Sequence, residues 1–261
     1  MHGCPAHCPR EYGASEWRII MERHATSAEL KARAKGQLLG KYGTVIPAVL
    51  IVEAIMLVVG NVVSFPVDMQ SMPGILVSFI VDCFLQLLGG IFIAGQTYLY
   101  LNISCGGNIR ISDVFYGFTH HPDKAILIQL FQLLLMLASF VPLFLCLGLW
   151  MVIDSLYMLI PVTLTFCLGL VLSVIIMLMY SQSYFVMLDF PDLSAVQCLR
   201  FSRRIMKGSK ARRFYLDVSF LPLYLLGLLT CCIGLLFVIP YVNTTYSNFY
   251  LELMSKKEPL H

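Results

Sequence analysis

The sequence predicts an all-α fold: a polytopic membrane helix bundle of about five transmembrane helices, with short amphipathic helices at the interface. Hydrophobic residues make up 58% of the chain and charged residues 13%, an apolar surplus that lipid has to cover. Five stretches, 44–65, 75–101, 125–150, 158–188 and 214–241, are apolar over the ~20 residues that cross a bilayer at ~1.5 Å per residue. Lys and Arg are divided unevenly between the connections: seven before the first stretch, two in 102–124 and seven in 189–213, against two after 241 and none in 66–74 or 151–157. That asymmetry predicts a multi-pass protein of the cell membrane with a cytoplasmic N-terminus and, for five spans, a C-terminus outside.

In chain order, residues 1–25 read as a dispensable or disordered extension, 26–250 as one helical membrane domain, and 251–261 as a short polar tail. The first twenty residues, MHGCPAHCPREYGASEWRII, have no apolar core and are neither signal peptide nor anchor. His2, Cys4, His7 and Cys8 lack a second ligand pair at zinc spacing, so no metal is expected. Met21 is an alternative translation start. Thr26-x-x-Glu29 has the form of a capping box, and the helix it opens carries Leu30, Ala34 and Leu38 on one face before Gly40 or Gly43 ends it. This reads as an interfacial helix feeding the first span.

Within the spans, ionisable residues stand out because each costs a few kcal/mol or more near the bilayer centre. Glu53 lies nine residues, about 13 Å, into the first span; Asp82 lies seven residues, about 10 Å, into the second, with Gln86 one turn deeper on the same face. Glu53, Asp82 and Gln86 therefore form a candidate intramembrane polar site, either a proton or cation site or a protonated hydrogen-bonded contact that holds two helices in register. Gly90-x-x-x-Ala94 and Gly227-x-x-x-Cys231 predict close helix contacts, and Pro47, Pro142, Pro161 and Pro222 predict bends. Cys83, Cys146, Cys167, Cys231 and Cys232 fall in apolar stretches and read as small packing residues.

The most informative stretch is RFSRRIMKGSKARR, which runs into the last apolar segment. Ser194-x-x-Gln197 forms a second capping box, and Gly208 is the hinge that ends the helix. Arg200, Arg203, Arg204 and Lys207 share one face, opposite Ala195, Cys198, Leu199, Ile205 and Met206. Such a helix is expected to lie on an anionic leaflet, with Leu199, Ile205 and Met206 in the acyl boundary and ~1 kcal/mol from each basic residue. The competing reading is a solvated loop helix that only obeys the positive-inside rule.

Ser202-Arg-Arg-Ile-Met206-Lys-Gly208-Ser-Lys210, Val218-Ser219-Phe220, Ile233-Gly234, Pro240-Tyr241-Val-Asn-Thr244 and Phe249-Tyr250 recur in one order. Together they resemble the bacterial integral-membrane family known as domain of unknown function 975. Gly107-Asn108 and Asp113-Val-Phe-Tyr-Gly-Phe118 are similar to a further motif of that family, while Pro222 departs from its usual Gly-Trp. The resemblance implies fold and membrane location, not a mechanism.

No phosphate-cradling loop, HExxH motif or nucleophile elbow is present. The reading is therefore non-enzymatic, with no catalytic residue, cofactor or metal. The basic run serves topology and not nucleic acid. The expected function is that of a membrane accessory or scaffold protein whose basic face meets anionic lipid head groups or a membrane protein partner. The competing class is a small transporter or permease component with its polar site between the first two spans.

Overall fold

The computed structural model describes residues 25–64, 71–153, 155–230 and 233–257, which form helices with no strand among them. In chain order these are α1 (Ser27–Leu38), α2 (Tyr42–Ser64), α3 (Met72–Ser104), a 3-10 turn (Ile111–Phe115) continued by α4 (Tyr116–Thr119), α5 (Pro122–Ile153), and α6 (Leu159–Tyr180). They continue with α7 (Ser183–Asp189), α8 (Ala195–Ile205), α9 (Lys210–Val218), α10 (Leu221–Leu229) and α11 (Leu235–Lys257). Four helical stretches, Tyr42–Val62, Pro73–Ser104, Pro122–Ile153 and Leu159–Asp189, are long and apolar enough to cross a membrane.

The bundle has two zones. Over the middle of the spans, large apolar side chains such as Leu57, Ile80, Leu145, Leu164 and Met177 stand exposed, as lipid-facing side chains must. At the other end Leu30, Leu101, Met206, Phe220, Phe249 and Tyr250 are fully buried. Water is the alternative environment only at that end, so burying each large apolar side chain there contributes ~1.5–3 kcal/mol. Lipid tails leave no such driving force between the spans themselves.

Both capping boxes form. Thr26 Oγ1 accepts from Glu29 N at 3.3 Å while Glu29 accepts from Thr26 N at 2.8 Å, and Ser194 and Gln197 repeat the exchange. Gly40 and Gly208 take φ of 81° and 88°, left-handed values that end α1 and α8. The apolar faces of both helices, however, are covered by protein. Leu30, Ala34 and Leu38 pack on α3 and α11, and Gln37 exchanges hydrogen bonds with Asn248 at 2.7 and 3.2 Å. Ala195, Cys198, Leu199, Ser202 and Ile205 of α8 are buried against α5, α6 and α7, and Ser202 Oγ donates to Met179 O at 3.0 Å. Leu199, Ile205 and Met206 therefore do not enter an acyl boundary.

The expected fifth span, 214–241, is not one helix. It breaks at Ser219–Phe220, restarts with Pro222 in the first turn of α10, runs only nine residues, and from Leu235 α11 runs back against α10. Gly227 and Gly234 make the reversal possible: a Cβ on Gly234 would lie 2.8 Å from Gly227 Cα, and one on Gly227 would lie 2.7 Å from Leu235 Cδ2. At ~1.5 Å per residue α10 reaches only about 13 Å, less than half of a hydrocarbon core. Thus α10 and the start of α11 form a re-entrant hairpin, and α11 carries the chain back to the end where α1 and α8 sit. Through this packing Leu251–Met254 join the core, so the polar tail expected from residue 251 begins beyond them. Cys231 and Cys232, His2, Cys4, His7 and Cys8, the start at Met21 and the extension up to residue 24 lie outside the described residues.

The segment 111–119 docks on α3 through glycine. A Cβ on Gly95 would overlap the Val114 carbonyl, and one on Gly117 would overlap the Ile91 carbonyl. Gly90, backed by Gln129 of α5, and the fully buried Ala94 occupy the same face of α3. That face is the close contact expected from their spacing.

Candidate functional site

Where the spans meet the packed end, a cavity of about 310 Å³ opens between α3, α5, α6 and α11. Polar groups from four directions line it: Gln96, Thr97 and Tyr100 of α3, Gln132 of α5, Tyr180 and Ser181 at the end of α6, and Asn243 and Tyr246 of α11. Arg213 of α9 lines it too. Its wall toward the bundle exterior is apolar and includes Ile93 and Met177, which are 39% and 62% exposed. The cavity therefore reaches the apolar flank of the bundle.

Arg213 is the unusual member, a guanidinium only 5% exposed. Its Nε lies 3.2 Å from Asp217 Oδ1, one helical turn on, and its Cζ stands 3.3 Å from the Tyr246 ring centroid. The ion pair is close but not aligned as a hydrogen bond, and Nη1 is buried with no hydrogen-bond partner. Burial pulls this guanidinium below the usual arginine value, opposed chiefly by the Asp217 carboxylate. Tyr100 adds a second buried polar atom to the same cavity: its hydroxyl reaches toward Asn243 without an aligned hydrogen bond. Around the rim, Gln132 donates to Tyr180 O at 3.2 Å and Tyr184 donates to Gln129 Oε1 at 2.7 Å.

The residues expected to form a site between the first two spans are not brought together. Met56 faces Gly89, and Gly60 faces Leu85, a register that sets Glu53 level with Phe92. Asp82 is then ten residues away along α3, about 15 Å, and Gln86 six residues, about 9 Å. Glu53, Asp82 and Gln86 are all exposed on the helix surfaces. None of the three lines the cavity. Arg200, Arg203 and Arg204 of α8, with Lys207 in the turn that follows it, are all exposed on the side away from the core. Among the described residues no group of three His, Cys, Asp or Glu side chains is placed to hold a metal ion.

Sequence reasoning missed Arg212 and Arg213, which it read only as the end of a basic run. Nothing local marked them: an arginine at the head of an apolar stretch reads the same whether it is solvated or buried. Sequence reasoning also missed Asp189, which accepts from the buried Tyr250 hydroxyl at 2.6 Å. The Tyr250 of the family motif is thus a packing and hydrogen-bonding residue at the base of the bundle.

No curated protein and no solved structure matches this chain. A family described as "Protein of unknown function (DUF975)" matches residues 21–257. The match takes in the spans, the re-entrant hairpin and every residue that lines the cavity, and the chain belongs to that family.

Proposed function

We propose that this is a cell-membrane accessory or scaffold protein that performs no bond chemistry and presents a rigid basic face to anionic lipid head groups on the cytoplasmic side. The observation that carries this reading is the seating of α8. Its apolar face is locked into the protein core, so Arg200, Arg203, Arg204 and Lys207 project outward as a fixed array. Charge distribution supports the sidedness. The connections at the opposite end, 65–71 and 154–158, contain no Lys or Arg among the 18 in the chain, which favours a cytoplasmic basic end. The start of α1 belongs to that same end.

The test is lipid selectivity in reconstituted bilayers, measured with spin-labelled phosphatidylserine and phosphatidylcholine. The wild type is expected to enrich phosphatidylserine at its boundary. The enrichment should fall several-fold when Arg200, Arg203, Arg204 and Lys207 are all replaced by Gln, and also at 1 M salt, where the screening length shrinks to about 3 Å. Undiminished selectivity in that variant would assign the face to a protein partner. The cavity favours a small transporter as the second reading, although not one built on Glu53, Asp82 and Gln86 together; substrate flux in proteoliposomes tests it.

A further inference from the structure

We propose that the cavity between α3, α5, α6 and α11 is a binding site for the phosphate head group of an anionic amphiphile, anchored by Arg213. This site is separate from the basic face of α8 and goes beyond the function proposed above. The argument begins with Arg213 Nη1, a buried donor of a charged group without an acceptor. Leaving such a group unsatisfied costs more than leaving a neutral one, and the cavity beside it has room for a ligand oxyanion. Asp217 balances the charge from the Nε side, which leaves the far edge of the guanidinium, on a residue that lines the cavity, as the donor still to be used. Tyr100 belongs to the same wall, with its hydroxyl buried beside Asn243.

The amphiphile part follows from the shape of the wall. Polar groups line the side toward the packed end, whereas Ile93, Met136, Ile176 and Met177 line the side toward the flank of the bundle. Ile93 and Met177 are exposed there among other apolar side chains. A head group held at Arg213 therefore has an apolar exit for its chains. Gln132 lies ten residues inside the start of α5, and Gln96 eight residues before the end of α3. That places the polar wall ~12–15 Å in from those ends. Helices of 33 and 32 residues are ~48–50 Å long, so a ~30 Å hydrocarbon core centred on them begins ~9–10 Å from each end, and the polar wall lies within a few Å of that boundary, on its hydrocarbon side.

The experiment is a thermal-stability titration of the purified full chain in detergent. The probes are dioctanoyl phosphatidic acid, dioctanoyl phosphatidylcholine and inorganic phosphate. Phosphatidic acid is expected to raise Tm saturably, and the other two to do so at least tenfold more weakly in concentration. Arg213→Gln should raise the half-saturating concentration at least tenfold, and Arg213→Lys should recover part of that loss. Met177→Trp, at the exposed mouth, should weaken binding several-fold without touching Arg213, and it decides the question if the Arg213 variants do not fold. The fourfold Gln variant of α8 should titrate like wild type, so the two proposals fail separately. Inorganic phosphate as potent as phosphatidic acid would overturn the lipid assignment. Equal potency of phosphatidylcholine, or binding unchanged in both Arg213→Gln and Met177→Trp, would overturn the site.

Discussion

Arg212 of α9 grips Glu252 of α11 with both terminal nitrogens. Nη1 donates to Oε1 at 2.9 Å and Nη2 donates to Oε2, while Nη2 also donates to Ala25 O at 2.5 Å. Ala25 N in turn donates to Glu252 Oε1 at 3.2 Å. The start of α1, the basic segment and the C-terminal helix thus meet at one carboxylate whose side chain is only 2% exposed. Removing Arg212 takes the counter-charge away from that buried carboxylate, a loss of ~3–5 kcal/mol. Arg212→Ala is expected to lower Tm strongly. Arg212→Leu combined with Glu252→Leu should recover much of the loss, because no buried charge is left behind. Thermal unfolding of the three proteins checks this; a double mutant no better than the single would show that the pair acts through more than charge.

The same contact decides topology. Because Glu252 meets Arg212, the C-terminal end of α11 belongs to the same side as the 189–213 segment, not the opposite side that five straight spans require. A reporter fused after Lys257 and one inserted in that segment should both be active in the same compartment. Activity on opposite sides would mean that 214–241 crosses after all.

Much of this architecture was legible from residue pattern. Four spans were readable because hydropathy and length are local properties, and both capping boxes because Thr26 with Glu29 and Ser194 with Gln197 act within one turn. What covers an apolar face was not legible. The stripe of Leu30, Ala34 and Leu38 looks the same whether lipid or α11 lies beneath it. The re-entrant hairpin escaped for a related reason: 214–241 passes a length test, and only Gly227 and Gly234, spaced to let two backbones touch, betray the reversal. Arg212 and Glu252 lie forty residues apart, and no local pattern pairs them. The cavity was not legible either. Tyr, Gln and Asn side chains scattered along the spans carry no mark of a shared site, and the groups that line it with Arg213 come from four separate helices.

The docking of 111–119 on α3 predicts intolerance at two glycines. Gly95→Ala and Gly117→Ala each place a Cβ against a backbone carbonyl, where no side-chain rotation can relieve the overlap. Each is expected to cost ~1–3 kcal/mol and to speed proteolysis in 106–120. Gly36→Ala serves as the control, because nothing lies within 4 Å of its Cβ position. Its stability should match or exceed wild type, since Ala is the better helix former by ~1 kcal/mol. Equal stability of all three variants would show that the 111–119 segment is not held against α3.

Cys198 reports on the seating of α8. It is fully buried, and burial pushes its thiol up to about 11, with Lys124 opposing. The nucleophile is the thiolate, so a maleimide at pH 8 should modify Cys198 far more slowly than it modifies a cysteine placed at exposed Val196. The same shift sets a pH dependence. Between the ordinary thiol value of 9.0 and about 11 the unfolded chain loses the thiol proton while the folded chain keeps it, so the unfolded state binds fewer protons and stability falls as pH rises through that window. Below pH 9 the contribution is fully present. Cys198→Ala removes the titration, and the alkaline limb of the stability curve should flatten relative to wild type. Rapid labelling of Cys198 at pH 8 in the folded protein would mean that α8 lifts from the core, and its apolar face would then be free to meet lipid.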